Sequence, residues 1–514
     1  MEGTNGETKR RRNNVLAFLG RVTLGFSMII LLELLMMLLE SIWINKPLIN
    51  INDLITDVTL VIEVLAIIVG ALLTRLYMFE TAPITVSDGF FMVALAWLVV
   101  SLLASIPYLL VSLPYARLEP YKAIFEAVSG ITATGLTAYS NVEILPRSIL
   151  FWRSLTEWIG GLGVVTMFLG FIIHRVPVAM AVYRGEGRES EGIRMGNVIE
   201  LSKRITMIYI TLTLLSVALF RIFGMNTFDA INHAMTAIAT GGFSTKNDSL
   251  ARYSVYLHYS AIFIMFLGAI SFDSHLRVFQ SIKNIKSFFN KETILLIMIP
   301  ITLTGLYTII TFLKGDLSFD KVHGYLFTAV SAITGTGFSI TTVSNYSDLT
   351  KLTIILLMVI GGCYGSTSSA LKILRIIILV DVILWLLKKS SYPSSAIVPL
   401  KILGKQFKIE NVVYSLVYSI IYLISLFVAS LTILLFTGGS YNFVDVLFEV
   451  ASAQGNVGLS VGVSGAHMPI PTAIVLIIVM LLGRLEITPW IVFTHKVAVA
   501  IKKTIGGSLE QRTL

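Results

Sequence analysis

Four short clusters of threonine, alanine and glycine are the parts of this sequence whose residue types and spacing could do chemistry. They lie in the segments FEAVSGITATGLTAYS (125–140), INHAMTAIATGGFSTKN (231–247), FTAVSAITGTGFSITT (327–342) and LFEVASAQGNVGLSVG (447–462). Glycine adopts backbone dihedrals that other residues resist, so successive carbonyl oxygens in such a cluster can point the same way. A ring of carbonyls from four loops could then replace the water shell of a bare cation.

Aligning the four segments on one glycine each gives Gly135, Gly241, Gly337 and Gly458. A second glycine motif follows each cluster, in GGLG (160–163), LGAISF (267–272), GGCYGSTSS (361–369) and GRLE (483–486). One glycine-rich segment on its own is readily explained as a turn between helices. Four segments in matched register instead predict an internal repeat.

The composition places these clusters in a membrane protein. Of the 514 residues, 55% are hydrophobic and only 13% are charged, whereas soluble domains carry roughly a quarter charged residues. This excludes a soluble globular enzyme. The single cysteine, Cys363, excludes an internal disulfide framework and a cysteine-based zinc or iron–sulfur site. The net charge of +9 lies mostly between apolar runs, so topology explains it better than nucleic-acid binding.

Ten apolar runs are long enough to cross a membrane, which takes about 20 mostly apolar residues in a helix. The first run follows the basic residues Lys9 to Arg12 but is too long for a signal peptide, so we interpret it as an anchor helix. More than half of the 39 lysines and arginines lie in segments on the side of the N-terminus, which predicts that both termini are cytoplasmic. The predicted spans are residues 18–43, 54–76, 89–113, 149–173, 205–224, 254–275, 293–313, 351–384, 411–437 and 471–499.

The repeated unit is a span, a short helix, a glycine loop and a second span. Four such units in one chain can surround an axis, whereas a single unit cannot close a pore. The sequence therefore predicts an all-α polytopic membrane protein with four span–pore helix–span repeats forming a pseudo-tetrameric pore, plus two leading transmembrane helices. The predicted units are residues 1–84 (cytoplasmic N-terminus and leading helices), 85–204 (repeat 1), 205–291 (repeat 2), 292–408 (repeat 3) and 409–514 (repeat 4 and cytoplasmic C-terminus).

The glycine loops must line protein or water, because unsatisfied backbone N–H and C=O groups are not tolerated in lipid. A short helix precedes each loop, and a helix C-terminus carries about half a negative charge. Four C-termini aimed at one axis would favour a cation over an anion. The predicted pore helices are residues 121–131, 228–238, 319–332 and 442–453.

The candidate ion-binding residues are the five that end at each aligned glycine. Thr132 and Thr334 could add hydroxyl oxygens, whereas Ile238 and Gly455 at the same offset cannot, so the four-fold symmetry is expected to be approximate. The candidates are Ile131, Thr132, Ala133, Thr134, Gly135, Ala237, Ile238, Ala239, Thr240, Gly241, Ile333, Thr334, Gly335, Thr336, Gly337, Gln454, Gly455, Asn456, Val457 and Gly458.

These motifs resemble a known family. The segments FEAVSGITATGL and HAMTAIATGGFS, the GGCYGSTSS stretch followed by Lys372, and GRLE are similar to motifs of the TrkH/KtrB/HKT superfamily of potassium transport proteins, over about residues 85–500. The two leading helices resemble the TrkH branch. The resemblance implies channel-like potassium uptake across the cell membrane, with the four aligned glycines in the selectivity filter. Plant members with serine in the first loop admit sodium, so Gly135 implies potassium preference.

The resemblance also implies the partners and the cofactor. Members work as homodimers on cytosolic nucleotide-binding regulatory subunits of the TrkA/KtrA kind, and the potassium ion in the filter is the transported species. The chain has no dinucleotide fingerprint, Walker A motif or HExxH motif, so we expect no organic cofactor, no enzyme activity and no nucleic-acid partner, and regulation by nucleotide would come from a partner.

The GGCYGSTSS stretch interrupts the second span of repeat 3, where Gly, Ser and Thr should break a helix. The resemblance implies an intramembrane gate beneath the filter, and the alternative is a kink at a packing contact. Ser369 and Ala370 stand where members often have a glycine pair, which predicts a stiffer loop. The candidate gate residues are Gly361, Gly362, Cys363, Tyr364, Gly365, Ser366, Thr367, Ser368 and, in the last span, Arg484.

Several charged residues leave alternatives open. Arg484 could lie near the pore and act on the repeat-3 loop, or form a structural ion pair with Glu486 or Glu157, since a charge inside a span is costly. Lys372 and Arg375 could set the field at the inner mouth or snorkel to lipid headgroups. The matched residues Glu126 and Glu449 could hold backbone N–H groups of the filter or bind the cation directly, and His233 is expected to pack behind the filter.

Two other functional classes compete with gated potassium conduction. A secondary symporter coupling K⁺ or Na⁺ to H⁺ or Na⁺ usually places paired carboxylates or histidines at mid-membrane, whereas Glu33, Glu40 and Glu63 cluster in the leading helices rather than near the filter. A membrane enzyme or scaffold is disfavoured because the sequence has no metal-ligand spacing of His, Asp and Glu.

Overall fold

A computed structural model describes residues 2–44, 58–77, 85–111, 116–163, 198–281, 285–286, 288–393, 398–403, 405–406 and 409–510. The predicted span 149–173 falls within these residues only up to Gly163. The basic stretch 175–197 of the predicted cytoplasmic connection lies outside the described residues, as do residues 54–57 of the second predicted span.

The two leading helices pack against each other and against repeat 1. They are α1 (Glu2–Ile44) and α2 (Val58–Leu76). Glycines allow the close approach: a Cβ on Gly20 would lie 2.6 Å from the Cβ of Leu73. The buried ring of Phe26 lies 6.2 Å from that of Trp152 in repeat 1, so α1 contributes to the core of the repeats.

Repeat 1 begins with a capping box. The Thr85 side chain accepts from the backbone N–H of Asp88, and the Asp88 carboxylate accepts from the Thr85 backbone, which satisfies two helix-terminal donors. Pro120 is the first residue of the pore helix. Proline lacks a backbone N–H, but the N–H groups of the first turn have no partner inside the helix, so nothing is lost there. The elements are α3 (Val86–Ala104), α4 (Ile106–Leu110), the pore helix α5 (Pro120–Ile131) and α6 (Arg147–Leu162).

Repeat 2 has the same order of elements, and its pore helix is capped by Asn226, whose side chain accepts from the Asp229 N–H. Ser254 caps the helix that follows the glycine loop. The elements are α7 (Val198–Ile222), the pore helix α8 (Thr227–Ile238), α9 (Val255–Ala269) and α10 (Phe272–Gln280).

Repeat 3 contains the interruption predicted from the GGCYGSTSS stretch. Its elements are α11 (Lys291–Leu313), the pore helix α12 (Phe319–Thr334), a 3-10 turn (Val343–Asn345), α13 (Asp348–Ile360) and α14 (Ile373–Ser390). A two-stranded antiparallel hairpin of β1 (Lys401–Ile402) and β2 (Lys405–Gln406) follows. The residues between α13 and α14, 361–372, are called the repeat-3 loop below.

Repeat 4 completes the architecture with α15 (Ile409–Phe436), the pore helix α16 (Phe443–Gly455), α17 (Ile470–Leu485) and α18 (Ile487–Glu510). Helix α18 packs back on α3 of repeat 1, where Lys496 pairs with Asp88 at 2.6 Å and the ring of Phe493 lies 5.5 Å from that of Phe91. The last helix therefore joins the first repeat.

The predicted fold class is confirmed: the protein is an all-α polytopic membrane protein with four span–pore helix–span repeats and two leading helices. Each predicted pore helix lies within two residues of its observed bounds. Within the described parts of the chain, five helices are long and apolar enough to cross a membrane, and two bent helix pairs pass the same test.

The second spans differ from the prediction of continuous helices. Only the break in repeat 3 was predicted, but the predicted span 254–275 is bent by 96° between α9 and α10, and the predicted span 471–499 is bent by 113° between α17 and α18. The breaking residues are Ile270 and Ser271 in repeat 2 and Glu486 in repeat 4. These are ordinary apolar and polar residues, so composition alone did not reveal the breaks.

Candidate functional site

The four pore helices end in one shared backbone conformation. One or two residues after each helix, one residue is left-handed: Ala133 (φ 53°), Thr240 (φ 53°), Gly335 (φ 74°) and Asn456 (φ 51°). The next N–H donates back into the helix, from Thr134 to Ser129, Gly241 to Thr236, Thr336 to Ser331 and Val457 to Ser452, at 2.8–2.9 Å. The repeats are therefore equivalent at the level of single hydrogen bonds.

This equivalence corrects the alignment of repeat 2 by one residue. Two residues after each left-handed position comes a glycine with φ between 80° and 96°, and in repeat 2 that glycine is Gly242, not Gly241. Gly241 is equivalent to Thr134 instead. The sequence alone could not separate two adjacent glycines in ATGG. We call Gly135, Gly242, Gly337 and Gly458 the glycine ring.

The four loops converge on one another around an axis. A Cβ added to Gly135 would overlap the carbonyl oxygen of Gly241, and one added to Gly242 would overlap that of Thr336. A Cβ on Gly337 would overlap the carbonyl oxygen of Val457 and lie 3.0 Å from the Cα of Gly458. Each loop thus lies against the next in chain order, and a side chain at these positions would displace neighbouring backbone.

The ring closes between the last repeat and the first. A Cβ on Gly458 would lie 3.1 Å from the Cα of Gly135. In addition, Nδ2 of Asn456 donates to Oγ1 of Thr134 at 2.8 Å. One polypeptide therefore surrounds the axis completely.

The backbone carbonyls of three of the predicted ion-binding residues contact the second span of their repeats. A Cβ on Gly160 or Gly483 would overlap the carbonyl oxygen of Ile131 or Gln454, and one on Gly268 would lie 2.9 Å from that of Ile238. These glycines belong to the second motif of each repeat. They are glycines because the second span packs directly on the C-terminal carbonyls of the pore helix, so Ile131, Ile238 and Gln454 face the span.

The loops of repeats 1 and 3 share a pair of threonine hydroxyls that the loops of repeats 2 and 4 lack. Oγ1 of Thr132 donates to the carbonyl of Val128 at 2.6 Å and lies 2.7 Å from Oγ1 of Thr134. Thr334 and Thr336 repeat this arrangement, with 2.7 Å to the Val330 carbonyl and 2.9 Å between the hydroxyls. The equivalents of Thr132 and Thr334 are Ala239 and Gly455, which have no hydroxyl, so the symmetry at this level is two-fold.

The rest of the predicted set lies at the helix ends or in the ring. Ala133 and Gly335 hold the left-handed positions, as do Thr240 and Asn456. Ala237 and Ile333 are fully buried in the last turns of their pore helices. The structure therefore brings together at the axis the ring glycines and the backbone carbonyls of the residues that directly precede them, which are Thr134, Gly241, Thr336 and Val457.

One residue on each pore helix, nine positions before the ring glycine, braces the loop that follows. Glu126 accepts from the Ala138 N–H at 2.7 Å, and Glu449 accepts from the Val461 N–H at 3.0 Å. The equivalent His233 has Nε2 2.9 Å from Oγ of Ser244, and Thr328 has its hydroxyl 3.3 Å from that of Tyr346. Glu126 and Glu449 thus hold loop backbone, and His233 packs behind the loop.

Two charged residues on α6 join repeats 1 and 2: sequence reasoning missed Arg153, and it considered Glu157 only as a partner of Arg484. Nε of Arg153 donates to Glu126 at 2.8 Å, and its Nη1 donates to the Ser244 carbonyl at 3.0 Å. The fully buried Glu157 accepts from the Phe243 N–H at 3.0 Å. A Cβ on Gly241 would lie 2.5 Å from Cδ of Glu157, which explains the second glycine of ATGG. Two charges four residues apart in an apolar span were the available signal.

The repeat-3 loop packs against the C-terminal end of the repeat-2 pore helix through Thr367. The Thr367 hydroxyl donates to the carbonyls of Ile238 at 3.0 Å and Gly268 at 2.9 Å, and it accepts from Thr240 at 3.2 Å. A Cβ on Gly335 would lie 2.9 Å from Oγ of Ser368. The loop therefore contacts both the pore-helix end of repeat 2 and the glycine loop of its own repeat.

The remaining loop residues are fixed by hydrogen bonds to repeats 2 and 3. The Cys363 N–H donates to the Ala269 carbonyl at 3.0 Å, and the Gly365 carbonyl accepts from Phe272 at 3.0 Å. Tyr364 donates its N–H to Glu292 at 2.8 Å. Ala370 (φ 66°) and Lys372 (φ 70°) are left-handed without being glycine, which costs roughly 1–2 kcal/mol each. Within the loop, the Gly362 N–H donates to the Ser368 hydroxyl, and the Ser366 hydroxyl donates to the Cys363 carbonyl. Gly361, directly after α13, has φ 73°.

Arg484 joins this loop to repeats 1 and 4. Its Nη1 donates to the Thr367 carbonyl at 2.8 Å, and its Nη2 donates to the carbonyls of Gly160 and, at 2.8 Å, Gly161. Trp97, Thr367 and Arg484 also line a cavity of about 40 Å³. Of the two roles considered for Arg484, the structure shows the contact with the repeat-3 loop, whereas Glu486 pairs with Arg375 at 2.7 Å.

Polar contacts on the predicted outer side join the connections of repeats 1 and 2. Glu143 accepts from the Asn247 N–H at 3.1 Å and pairs with Arg252. The backbone N–H of Asn247, together with the Arg252 guanidinium, holds the pKa of Glu143 below its usual range. Across the described residues, no group of three or more His, Cys, Asp or Glu side chains is placed to hold a metal ion.

Four equivalent helix–loop units that close a ring of backbone in one membrane-spanning chain define a membrane transport protein with an internal four-fold repeat. The family model of TrkH, described as a cation transport protein, matches residues 60–500. The chain therefore belongs to the TrkH family of cation transport proteins.

Individual relatives and a solved structure agree with this family. The chain is 35% identical to an uncharacterized cation transporter of Methanocaldococcus jannaschii, over 78% of this chain and 80% of the relative. It is 29% identical to the Trk system potassium uptake protein TrkH of Halomonas elongata, over 79% and 85%. The crystal structure of the potassium transporter TrkH from Vibrio parahaemolyticus matches with a TM-score of 0.79 at 24% identity, covering 93% of this chain and 98% of that one.

Proposed function

We propose that this protein takes up potassium by channel-like conduction through the glycine ring. The observation that carries the proposal is the close contact among the loops of Gly135, Gly242, Gly337 and Gly458, in which backbone of one repeat lies against backbone of the next. Backbone carbonyls are the ligands that replace the hydration shell of potassium in selective filters. The names of several relatives as potassium uptake proteins support the choice of ion.

The mechanism follows from the residues at the axis. A dehydrated ion would be held by carbonyl oxygens of Thr134, Gly241, Thr336 and Val457, which precede the ring glycines. The C-termini of α5, α8, α12 and α16 end beside them, and their partial negative charges favour a cation. An inside-negative voltage supplies about 2.3 kcal/mol per charge per 100 mV, which drives uptake.

The repeat-3 loop acts as a gate in this proposal. It lies beneath the ring and is held there by Arg484, so ions cannot leave the filter until the loop moves. Cytosolic nucleotide-binding regulatory subunits of the TrkA/KtrA type would move it by acting on α14. The active form would be a homodimer in the cell membrane with both termini in the cytoplasm, and no organic cofactor is required.

A secondary cation symporter is the alternative function. Glu33 and Glu63 are buried in α1 and α2. They lie in the leading helices, outside the repeats that form the ring. The carboxylates nearer the ring, those of Glu126, Glu157 and Glu449, each accept a hydrogen bond from loop backbone. Carboxylates that hold loop backbone in this way favour conduction without coupling over symport.

Ion flux in liposomes distinguishes the two functions. The purified protein is expected to pass K⁺ and Rb⁺ much faster than Na⁺ down an imposed gradient, with the same rate whether or not a pH gradient is present. Flux that needs a proton or sodium gradient would establish symport instead. Gly135→Ser, which introduces a side chain against the Gly241 carbonyl, should reduce the preference for K⁺ over Na⁺.

The gate has its own test. Shortening the loop by deleting residues from 364–369 removes the contacts of Thr367, so the flux of K⁺ should rise. An unchanged flux in a correctly folded deletion variant would show that the loop is only a kink at a packing contact.

A further inference from the structure

The helix break in repeat 4 holds the repeat-3 loop at two points through residues of opposite charge. Arg484, the last residue but one of α17, binds the Thr367 carbonyl at 2.8 Å. Glu486, at the break itself, binds Arg375 at the start of α14, with 2.7 Å between Nη2 and Oε1. The middle of the loop and the first turn of the helix that follows it are therefore held by a stretch of three residues in another repeat.

The Arg375–Glu486 ion pair lies in a buried environment. The side chains are only 5% and 12% exposed. The Arg375 guanidinium also lies 4.1 Å from the ring centre of Tyr418, a distance at which a cation and an aromatic face attract. Glu486 adopts φ 61° and connects two helices bent by 113°, so the pair with Arg375 is formed at the bend itself.

Movement of either helix beyond the break would separate this pair. Helix α14 leads away from the loop towards the predicted cytoplasmic connection, and α18 leads away from Glu486 to its contact with α3 at Asp88. Breaking a buried pair while both charges stay buried is strongly unfavourable. The loop can open only if the two helices move together or if water enters to solvate both charges.

We propose that the Arg375–Glu486 ion pair is a latch that keeps the repeat-3 loop in its closed position, with Arg375 and Glu486 as positioning residues of the gate. The proposal deepens the gating role of the loop and rests on the proposed function in that respect. It assigns the closed state to a contact between repeats 3 and 4 rather than to the loop alone. It also resolves the role of Arg375, which the sequence left open between the inner mouth and the lipid headgroups.

The chain contains its own reporter of loop opening. Cys363 is the only cysteine, it lies in the repeat-3 loop, and its side chain is fully buried. The rate at which a water-soluble maleimide labels Cys363 in the full-length protein therefore measures how often the loop is exposed, without any engineered cysteine and without depending on ion flux.

The experiment compares Arg375→Gln, Glu486→Gln and the exchange variant Arg375→Glu/Glu486→Arg with the unsubstituted protein in liposomes. Each single variant should label about tenfold faster, because one charge is left without its buried partner, and should show a higher basal K⁺ flux. The exchange variant should return both values towards those of the unsubstituted protein.

A matched control is available in a second ion pair between the same two repeats. Lys351 on α13 and Asp445 on α16 are 2.7 Å apart and are 7% and 17% exposed, and Lys351 lies in the first turn of α13, at the opposite end of that helix from the loop. Lys351→Gln therefore removes a comparable interaction, and it should leave both Cys363 labelling and basal flux unchanged. Gel-filtration profiles of all variants establish that they are folded.

Three outcomes would overturn the latch: unchanged labelling in a folded Arg375→Gln variant, an exchange variant that labels as fast as the single variants, or equal acceleration by Lys351→Gln. If Arg375→Gln does not fold, Glu486→Gln and Arg375→Lys give the same test, with a smaller acceleration expected for Lys because the charge remains. Faster labelling without K⁺ flux in any variant would support the latch and refute the proposed conduction.

Discussion

Asn456 of repeat 4 donates a hydrogen bond to the hydroxyl of Thr134 in repeat 1, with 2.8 Å between Nδ2 and Oγ1. The two residues are far apart in the chain, and their contact closes the ring of four loops. Asn456 also has the left-handed backbone conformation, with φ 51°, which asparagine accepts more readily than most residues. One side chain thus supports both the local turn and the closure of the site.

These two roles of Asn456 can be separated by substitution. Asn456→Gly keeps the left-handed turn but removes the bond to Thr134, so it should fold normally and conduct with a lower ratio of K⁺ to Na⁺ flux. Asn456→Ala removes both, and the added strain of roughly 1–2 kcal/mol should also lower the unfolding temperature. Equal melting temperatures for the two variants, measured in detergent, would show that the backbone conformation does not matter.

The two adjacent glycines of repeat 2 should respond differently to a change in Glu157. Gly241→Ala places its methyl group against the Glu157 side chain, so Glu157→Ala should relieve most of an overpacking cost of about 1–3 kcal/mol. Gly242→Ala meets the backbone of Thr336 and should cost the same with or without Glu157. A double-mutant cycle on thermal stability measures this coupling. Coupling of Glu157 to Gly242 instead would contradict the corrected alignment.

The two bracing carboxylates are expected to differ in importance. Glu126→Gln leaves the buried Arg153 without its partner at 2.8 Å, which should cost about 3–5 kcal/mol. Glu449 accepts from Val461 and from the hydroxyls of Ser460 and Ser464. Glu449→Gln should therefore cost about 1–3 kcal/mol. Melting curves of the two purified variants check the order, and the reverse order would show that Arg153 does not depend on Glu126.

Acid should weaken the outer connection between repeats 1 and 2. The folded-state pKa of Glu143 is lowered, so its contribution is present above the unfolded pKa of about 4.3 and is lost as the pH falls through the lower folded-state pKa. Because the pair with Arg252 is partly exposed, we expect an effect of about 0.2–1 kcal/mol. The difference in melting temperature between the unsubstituted protein and Glu143→Gln should shrink on acidification. A difference that grows on acidification would contradict the prediction that ionised Glu143 stabilises the connection.

Much of the architecture could be predicted from local sequence pattern. The length of the apolar runs predicts the spans, and a short apolar helix followed by a glycine cluster predicts each pore helix. Both patterns depend only on residues that are close together in the chain. The likeness of FEAVSG (125–130) to LFEVAS (447–452) similarly placed Glu126 and Glu449 at equivalent positions. The interruption at GGCYGSTSS was visible because its glycines and serines are poor helix formers.

The breaks in repeats 2 and 4 were not predictable in this way. Ile270, Ser271 and Glu486 carry no strong helix-breaking signal. Directly after the bend in repeat 2, Phe272 donates its N–H to the Gly365 carbonyl of repeat 3. At Glu486 the contact is the pair with Arg375, more than a hundred residues earlier in the chain.

The sequence by itself determined that this is a four-repeat membrane protein with a glycine loop after each pore helix, since composition, span length and repeat spacing are properties of the linear chain. Only the tertiary structure decided that Gly242 rather than Gly241 joins Gly135, Gly337 and Gly458. Both residues have the same freedom of backbone conformation, so the choice depends on what surrounds them: the backbone of Thr336 beside Gly242, and the carboxylate of Glu157 beside Gly241.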